Sequence, residues 1–355
     1  MTLDPEKLDQ AVGKVFAELG VNATAPLLVL GDRLGLWRAL AGAGPLTFGE
    51  LAARTGLMPR YVREWVRAVA VAGYLDYDRV LDTFTLTDEM AAVVADDSSP
   101  TAMIGILPGL PAFWGALDQV ERFFRTGGGM GWGDHDPVLN LAQERFTRPQ
   151  YVHGLVGAWI PAVAGILPKL ERGARIADVG CGYGLSTILI GQTWPNCTVT
   201  GFDLDDSSIA HARKAAADAG LTGRVTFEVA AADQLPGHGY DLVTFTDSLH
   251  DMGDPVAAVA RSRRALAGDG TILVIEPLAA DQFADDFANP YARIGYAVST
   301  LVCTPSSLSQ PGAAGLGAMA GEAKLREVLA AGGLREVHRI AREAAPFNII
   351  LEARP

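Results

Sequence analysis

Asp178-Val179-Gly180-Cys181-Gly182-Tyr183-Gly184 closes an apolar run, Ala174 to Val179, and passes directly into a helical pattern that starts at about Leu185. Alternating glycines let a backbone turn tightly and approach a ligand at the carboxyl end of a strand, where open α/β sheets bind their ligands. The spacing is Gly-x-Gly-x-Gly, not the Gly-x-Gly-x-x-Gly that seats a dinucleotide's pyrophosphate on a helix N-terminus. Asp178, two residues before the first glycine, would repel a pyrophosphate; it is expected to organise the loop and attract a ligand ammonium.

Downstream, apolar and β-branched runs alternate with helical ones. CTVTGFD, RVTFEVA, YDLVTFTDS and GTILVIEP read as strands, separated by LSTILIGQTW, SSIAHARKAAADAG and DPVAAVARSRRAL as helices. This is the βαβ alternation of a parallel, doubly wound sheet. EVHRIAREA and FNIILEARP follow one another with no helix between them, which predicts a closing antiparallel hairpin.

Acids recur where these strands end. Asp203, followed by Leu204, closes GFDLD; Asp233, followed by Gln234, lies in AADQLP; Asp247 closes the next strand. A carboxylate at Asp203 is suited to accept both hydroxyls of a ribose, and one at Asp233 to face an adenine amino group. Each acid alone is equally a helix N-cap. Together with the glycine loop they describe a cationic ligand with ribose and adenine but no phosphate, a description that S-adenosylmethionine meets.

The first part of the chain is organised differently. LLVLGDRLGLWRAL has helical spacing, Thr47 caps a helix through FGELAART that ends at Gly56, and Pro59 starts a third helix. YLDYD and TFTLTD then form a two-stranded wing. Such a winged helix reads DNA when cations surround it, but residues 27 to 90 hold seven Arg against eight acids, so dimerisation or docking is expected instead. Domains are expected at 1–100 (winged helix), 101–170 (a helical connector) and 171–355 (the sheet). Within the connector, GGGMGWGDHDP carries Trp132 on a glycine-rich loop that is either a lid or a packing anchor.

Composition narrows the partners. The 355 residues are 49% hydrophobic and 20% charged, with 29 Lys+Arg against 41 Asp+Glu. The net charge of −12 disfavours nucleic acid and anionic membranes. Three scattered cysteines make neither a disulfide framework nor a CxxC metal site, so a cytoplasmic protein without a metal is expected. Asp4-Pro5 reads as a helix start rather than an export signal, and the uncharged stretch Ile294 to Gly321 is too polar to span a bilayer.

DVGCGYG, GFDLD and AADQLP together make residues 171 to 355 resemble the class I S-adenosylmethionine-dependent methyltransferases, with a Rossmann-like, mostly parallel seven-stranded sheet ending in an antiparallel hairpin. With its winged helix the whole chain resembles the two-domain O-methyltransferases, whose N-terminal domain dimerises. It is closer still to an uncharacterised bacterial group with SLHDMGDP-like and PFNIILEARP-like segments. The resemblance implies a homodimer that binds S-adenosylmethionine through Asp178, Gly180, Cys181, Gly182, Asp203, Leu204, Asp233, Gln234 and Asp247, and releases S-adenosylhomocysteine. TDSLHDMGDP resembles the family's LHDW segment, which implies His250 as general base, with Glu276 orienting it. A second Glu of the family pattern is missing: Met319 falls near its position and Glu322 one turn away. By the same analogy Trp132, Tyr296 and Cys303 would line the side that takes a small apolar or aromatic acceptor. Cys303 has no activating residue beside it in the sequence and reads as a packing thiol. The expected reaction is O-methylation; N- or C-methylation on the same fold and a non-catalytic, cofactor-sensing DNA regulator are the rivals.

Overall fold

The computed structural model describes residues 3–355. Its N-terminal unit runs to Leu110 and includes Arg145–Pro149; Pro111–Glu144 and Gln150–Pro355 form the second unit. Much of the segment read as a connector therefore groups with the sheet.

In the first unit, Asp4 accepts the N–H groups of Glu6 and Lys7, and α1 (Pro5–Arg33) begins at the proline. α1 continues through Pro26, so LLVLGDR is its last part rather than a separate helix. Among the described residues it is the one helix long and apolar enough to cross a membrane by length and composition. Its Leu8, Val12, Val15, Phe16 and Leu19 are exposed. α2 (Leu36–Leu40) and α3 (Phe48–Thr55) follow, and a capping box between Thr47 and Glu50 starts α3. Gly56, at φ 70°, ends it in the left-handed region that glycine tolerates. α4 (Pro59–Val71) leads to the wing, in which β1 (Asp76–Asp78) pairs antiparallel with β2 (Thr83–Thr85). α5 (Asp88–Val94) completes the motif. Its core is built on Trp37 and Trp65, ring centroids 4.7 Å apart, whose indole N–H groups donate to the carbonyls of Leu28 and Leu27. Arg145 holds the buried Asp32 in a two-pronged ion pair and reaches Asp97 as well.

The second unit carries β3 (Arg175–Val179), β4 (Thr198–Asp203), β5 (Val225–Val229), β6 (Tyr240–Thr246), β7 (Leu266–Pro277), β8 (Glu336–Arg339) and β9 (Asn348–Arg354). They form one sheet in the order β5-β4-β3-β6-β7-β9-β8. The first five are parallel; β9 runs antiparallel to β7 and β8, the hairpin expected from the sequence. The central strands are buried on both faces, as unbroken apolar runs require. Ile176 and Leu242 pack into one face with Leu155 and Ile190, while Ala177, Val243 and Phe245 pack into the other with Val259 and Leu329. The chain lays β4 and β5 to one side of β3 and then crosses to β6 on the other. A crevice opens where the strand order reverses, between β3 and β6, and ligands of such sheets bind there.

Gly31 faces the two indoles so closely that a Cβ would lie 2.5 Å from Trp37 Nε1 and from Trp65 Cζ2. Gly31→Ala is expected to destabilise the N-terminal unit by about 1–3 kcal/mol through overpacking, read as a lowered midpoint in urea unfolding followed by Trp fluorescence.

Candidate functional site

The loop after β3 is shaped by its glycines. Gly180 has φ 75°, and a Cβ there would meet Ser248 Cβ at 2.5 Å; Gly184 has φ 86°, and a Cβ would strike Phe227 and Ala212. Gly182 is different: a Cβ there meets nothing within 4 Å, so open space lies over its backbone. Its N–H donates to Asp203 Oδ2 at 2.9 Å. The Asp205 N–H donates to Asp203 Oδ1 at 3.0 Å. Each carboxylate oxygen of Asp203 thus has one backbone donor and one lone pair to spare.

Asp178 is fully buried. Its Oδ2 accepts the hydroxyls of Ser186 and Thr187 at 2.5 and 2.7 Å, and its Oδ1 those of Thr244 and Thr246 at 2.7 and 3.5 Å. All four acceptor sites are taken. The expectation that Asp178 also draws in a ligand ammonium is therefore corrected: no lone pair faces outward, and the residue braces the loop from within. Cys181 is buried beside it, and burial pushes its thiol pKa well up. Leu204 is exposed after β4, and Asp233 and Gln234 are exposed in a short turn after β5.

Asp247 ends β6 at φ 51°, a left-handed conformation that Asp adopts more readily than most residues. Tyr151 OH donates to its Oδ2 at 2.8 Å and Asn348 Nδ2 to its Oδ1 at 3.1 Å. Burial and the neighbouring Glu276 raise its carboxyl to about 7.

His250 follows in a single turn, Leu249–Asp251, and is buried. Its Nδ1 is hydrogen-bonded to Glu276 Oε2, while Glu276 Oε1 accepts the Leu249 N–H at 2.9 Å. Glu276 is thereby fixed through both oxygens. On the other side of the ring, Nε2 lies 3.3 Å from Asp251 Oδ1. Burial alone would lower the imidazole pKa, but the charges of Asp251 and Glu276 overcome it and carry it well above 6.5. Glu322 is bound by Arg326 and Arg339 and does not stand in for the missing second Glu, while Asp251 is the second carboxylate beside His250.

Two further segments close over this turn. In the stretch 299–309, Cys303 Sγ comes within 4.8 Å of ligating atoms of both His250 and Asp251. A histidine neighbours this thiol after all, but from 53 positions away in the chain. Burial and Asp251 raise the thiol to about 12, so it stays protonated. The glycine-rich loop after Thr126 crosses from that stretch, where Met130 N–H donates to Pro305 O at 3.1 Å, to Asp205, whose Oδ1 leaves no room for a Cβ on Gly133. Between these anchors Trp132 Nε1 donates to Asp251 Oδ2 at 2.7 Å. Tyr296, expected on the acceptor side, gives its hydroxyl to Asp286 Oδ2 instead. Tyr291 stands nearer the centre, its pKa raised to about 12 by burial and then by Asp247 and Cys303. Neither Tyr291 nor the reach of Tyr151 to Asp247 has a local signature in the sequence.

Residues 170–332 match the family model of a methyltransferase domain, and residues 22–96 that of an Rv2258c-like winged HTH domain. The 27-O-demethylrifamycin SV methyltransferase of Amycolatopsis mediterranei is 31% identical over 143 residues, 40% of this chain and 47% of that protein. The trans-aconitate 2-methyltransferase of Streptomyces avermitilis is 35% identical over 133 residues, 36% and 46% respectively. The chain thus spans about half the length of these curated relatives. Solved structures cover nearly all of it at lower identity. One is an O-methyltransferase described as putative from Nostoc punctiforme (TM-score 0.70, 18% identical, 100% of both chains). Another is human N-acetylserotonin methyltransferase in complex with S-adenosylmethionine (TM-score 0.68, 17%, 97% of both). These two are likenesses of fold.

Because the folded state holds the proton of Asp247 more tightly than the unfolded chain, its contribution to stability is largest below about 3.8 and is lost as pH rises to about 7. Asp247→Asn removes that loss. The unfolding free energy of wild type is expected to fall relative to the variant between pH 4 and 7, by at most about 4 kcal/mol, in paired urea titrations across that range.

Proposed function

We propose that this chain, which carries a methyltransferase domain behind an Rv2258c-like winged HTH domain, transfers a methyl group from S-adenosylmethionine to the hydroxyl oxygen of a small apolar or aromatic acceptor. The observation that carries the reading is His250: an imidazole fixed at Nδ1 by a buried carboxylate, in the turn after the strand that adjoins the glycine-loop strand at the switch point. Bound at the loop, S-adenosylmethionine supplies a methyl group on an already electrophilic sulfonium. The residues present fit such a ligand. Asp203 keeps two lone pairs beside the open space over Gly182, suited to ribose hydroxyls, and among the described residues no hydrogen bond of the loop runs to Lys or Arg, as a phosphate-free ligand allows. The exposed Asp233 and Gln234 supply acceptors and donors for an adenine edge.

The chain's own contribution is alignment, exclusion of water and removal of the acceptor's proton. Glu276 holds the imidazole in one orientation and stabilises it once protonated; Nε2 receives the proton. Since the flanking carboxylates raise the pKa, His250 is an imidazolium near pH 6.5 and becomes a competent base only as pH rises. kcat/KM for a phenolic acceptor is accordingly expected to climb with pH, with its midpoint above 6.5. His250→Ala should lower S-adenosylhomocysteine release by ~10² or more while leaving cofactor affinity in place, measured against a panel of phenols, carboxylates, imidazoles and amines. Turnover confined to nitrogen acceptors and insensitive to His250 would overturn the O-methyl reading.

A homodimer is part of the proposal. Leu8, Val12, Val15 and Leu19 are exposed on α1 at alternating spacings of four and three, the seam of a helix that packs against a second copy of itself. Val12→Glu with Leu19→Glu is expected to halve the mass seen by light scattering without changing the circular dichroism; an unchanged mass would rule this surface out.

A further inference from the structure

Five carboxylates gather at the carboxyl ends of β3, β4, β6 and β7: Asp178, Asp203, Asp247, Asp251 and Glu276. Their hydrogen bonds run to hydroxyls, backbone N–H groups, an indole, an imidazole and an amide, and none of these runs to Lys or Arg. Asp178 has its lone pairs filled by four hydroxyls, and each oxygen of Asp203 takes one backbone N–H. Asp247, Asp251 and Glu276 are left around one histidine. Buried carboxylates without a cationic partner are costly, and His250 is a cation only while it holds its second proton. As a base it must first give that proton up.

Asp251 is where the deficit is visible. Its Oδ2 is bound by the Trp132 indole, but its Oδ1 is buried, has no hydrogen-bond partner of good geometry among the described residues and lies 3.3 Å from His250 Nε2, with the weakly donating Cys303 thiol also beside Asp251. An acceptor hydroxyl at Nε2 brings its nearest substituents to this oxygen. Resting on the function proposed above, we infer that Asp251 selects the acceptor, and that the acceptor carries a protonated amine beside the hydroxyl that is methylated. The ammonium donates to Oδ1 and replaces the second proton of His250, which leaves to solvent, so the total charge of the site is unchanged and the imidazole is neutral when the hydroxyl arrives. The groups facing His250 all favour this exchange or are neutral to it: Glu276 from β7, Asp247 from the end of β6, Asp251 from its own turn, the protonated thiol of Cys303 from the stretch 299–309, and the phenols of Tyr151 and Tyr291. An acceptor with a carboxylate at that position would meet two like charges.

The test is calorimetric binding of 2-(aminomethyl)phenol, 2-(hydroxymethyl)phenol and salicylate to the full chain in complex with S-adenosylhomocysteine, in two buffers of different ionisation enthalpy. The amine is expected to bind at least about tenfold tighter than the alcohol, the scale of one hydrogen bond to a charged group. Salicylate should be weakest, and only the amine should release a proton. In Asp251→Asn the amine-to-alcohol ratio should collapse towards one; a merely structural role would weaken all three ligands and leave the ratio standing. Equal binding of amine and alcohol, preference for salicylate, lack of proton release, or no binding of any of the three overturns the inference. Should the variant fail to fold, the order of the three ligands on wild type decides alone. Failure of S-adenosylhomocysteine itself to bind counts against the proposed function, whereas a wrong ligand order on a sound complex counts against Asp251 as selector.

Discussion

A carboxylate sealed between two central strands is tolerable only if its lone pairs are met, and Asp178 meets all four with hydroxyls. Burial pushes its pKa up while the four donors pull it down, so the charge is held by geometry rather than by a counter-ion. The donors come from two elements: Thr244 and Thr246 on β6, and Ser186 and Thr187 on the helix Leu185–Thr193. That one side chain therefore ties the helix after the glycine loop to the strand across the switch point. The loop between is held at both ends. Ser248 continues the brace by donating to Val179 O at 2.7 Å under Gly180, and the chain reaches His250 two residues later. The glycine loop and the candidate base are thus fixed to a common support.

The sheet was legible because its signals are local. Continuous apolar and β-branched runs, glycine spacing and acids at strand ends all sit within a few residues of the elements they specify. The pairing of His250 with Glu276 was implied by the family resemblance; it is realised because the turn that carries His250 follows β6 and Glu276 lies at the end of the neighbouring β7. What the chain could not disclose are contacts between distant segments. Trp132 and Asp251 are 119 residues apart, and Cys303 approaches His250 through a helical stretch whose facing is set only when it packs. Tyr296 and Tyr291 lie five residues apart, yet Tyr296 turns to Asp286 and Tyr291 to the carboxylate cluster. Helical spacing alone does not say which face looks inward. Asp178 was half legible: its place before the glycines suggested a role in the loop, but the four hydroxyls that fill it come from positions that look like ordinary Ser and Thr. The length of α1 was hidden by Pro26, which reads as a helix boundary although the helix passes through it.

The charge pattern of the site gives the proposed chemistry a direction. Methyl transfer to a hydroxyl discharges a sulfonium and creates a proton, so positive charge is moved rather than made. In the proposed reaction it ends on His250, between Glu276 and Asp251. Those carboxylates interact most strongly with the imidazolium, the state reached after the acceptor's proton has gone, so they favour the later part of the reaction over the start. The same arrangement carries a cost. It holds His250 protonated before the acceptor binds, and a base that is already protonated is idle. A site with fewer acids would have a readier base and a less stabilised product; one with more would have the reverse. Asp251 sits at the balance point, because its Oδ2 is tied to the loop through Trp132 while its Oδ1 faces Nε2. The glycine-rich loop and the imidazole are thus joined through a single carboxylate.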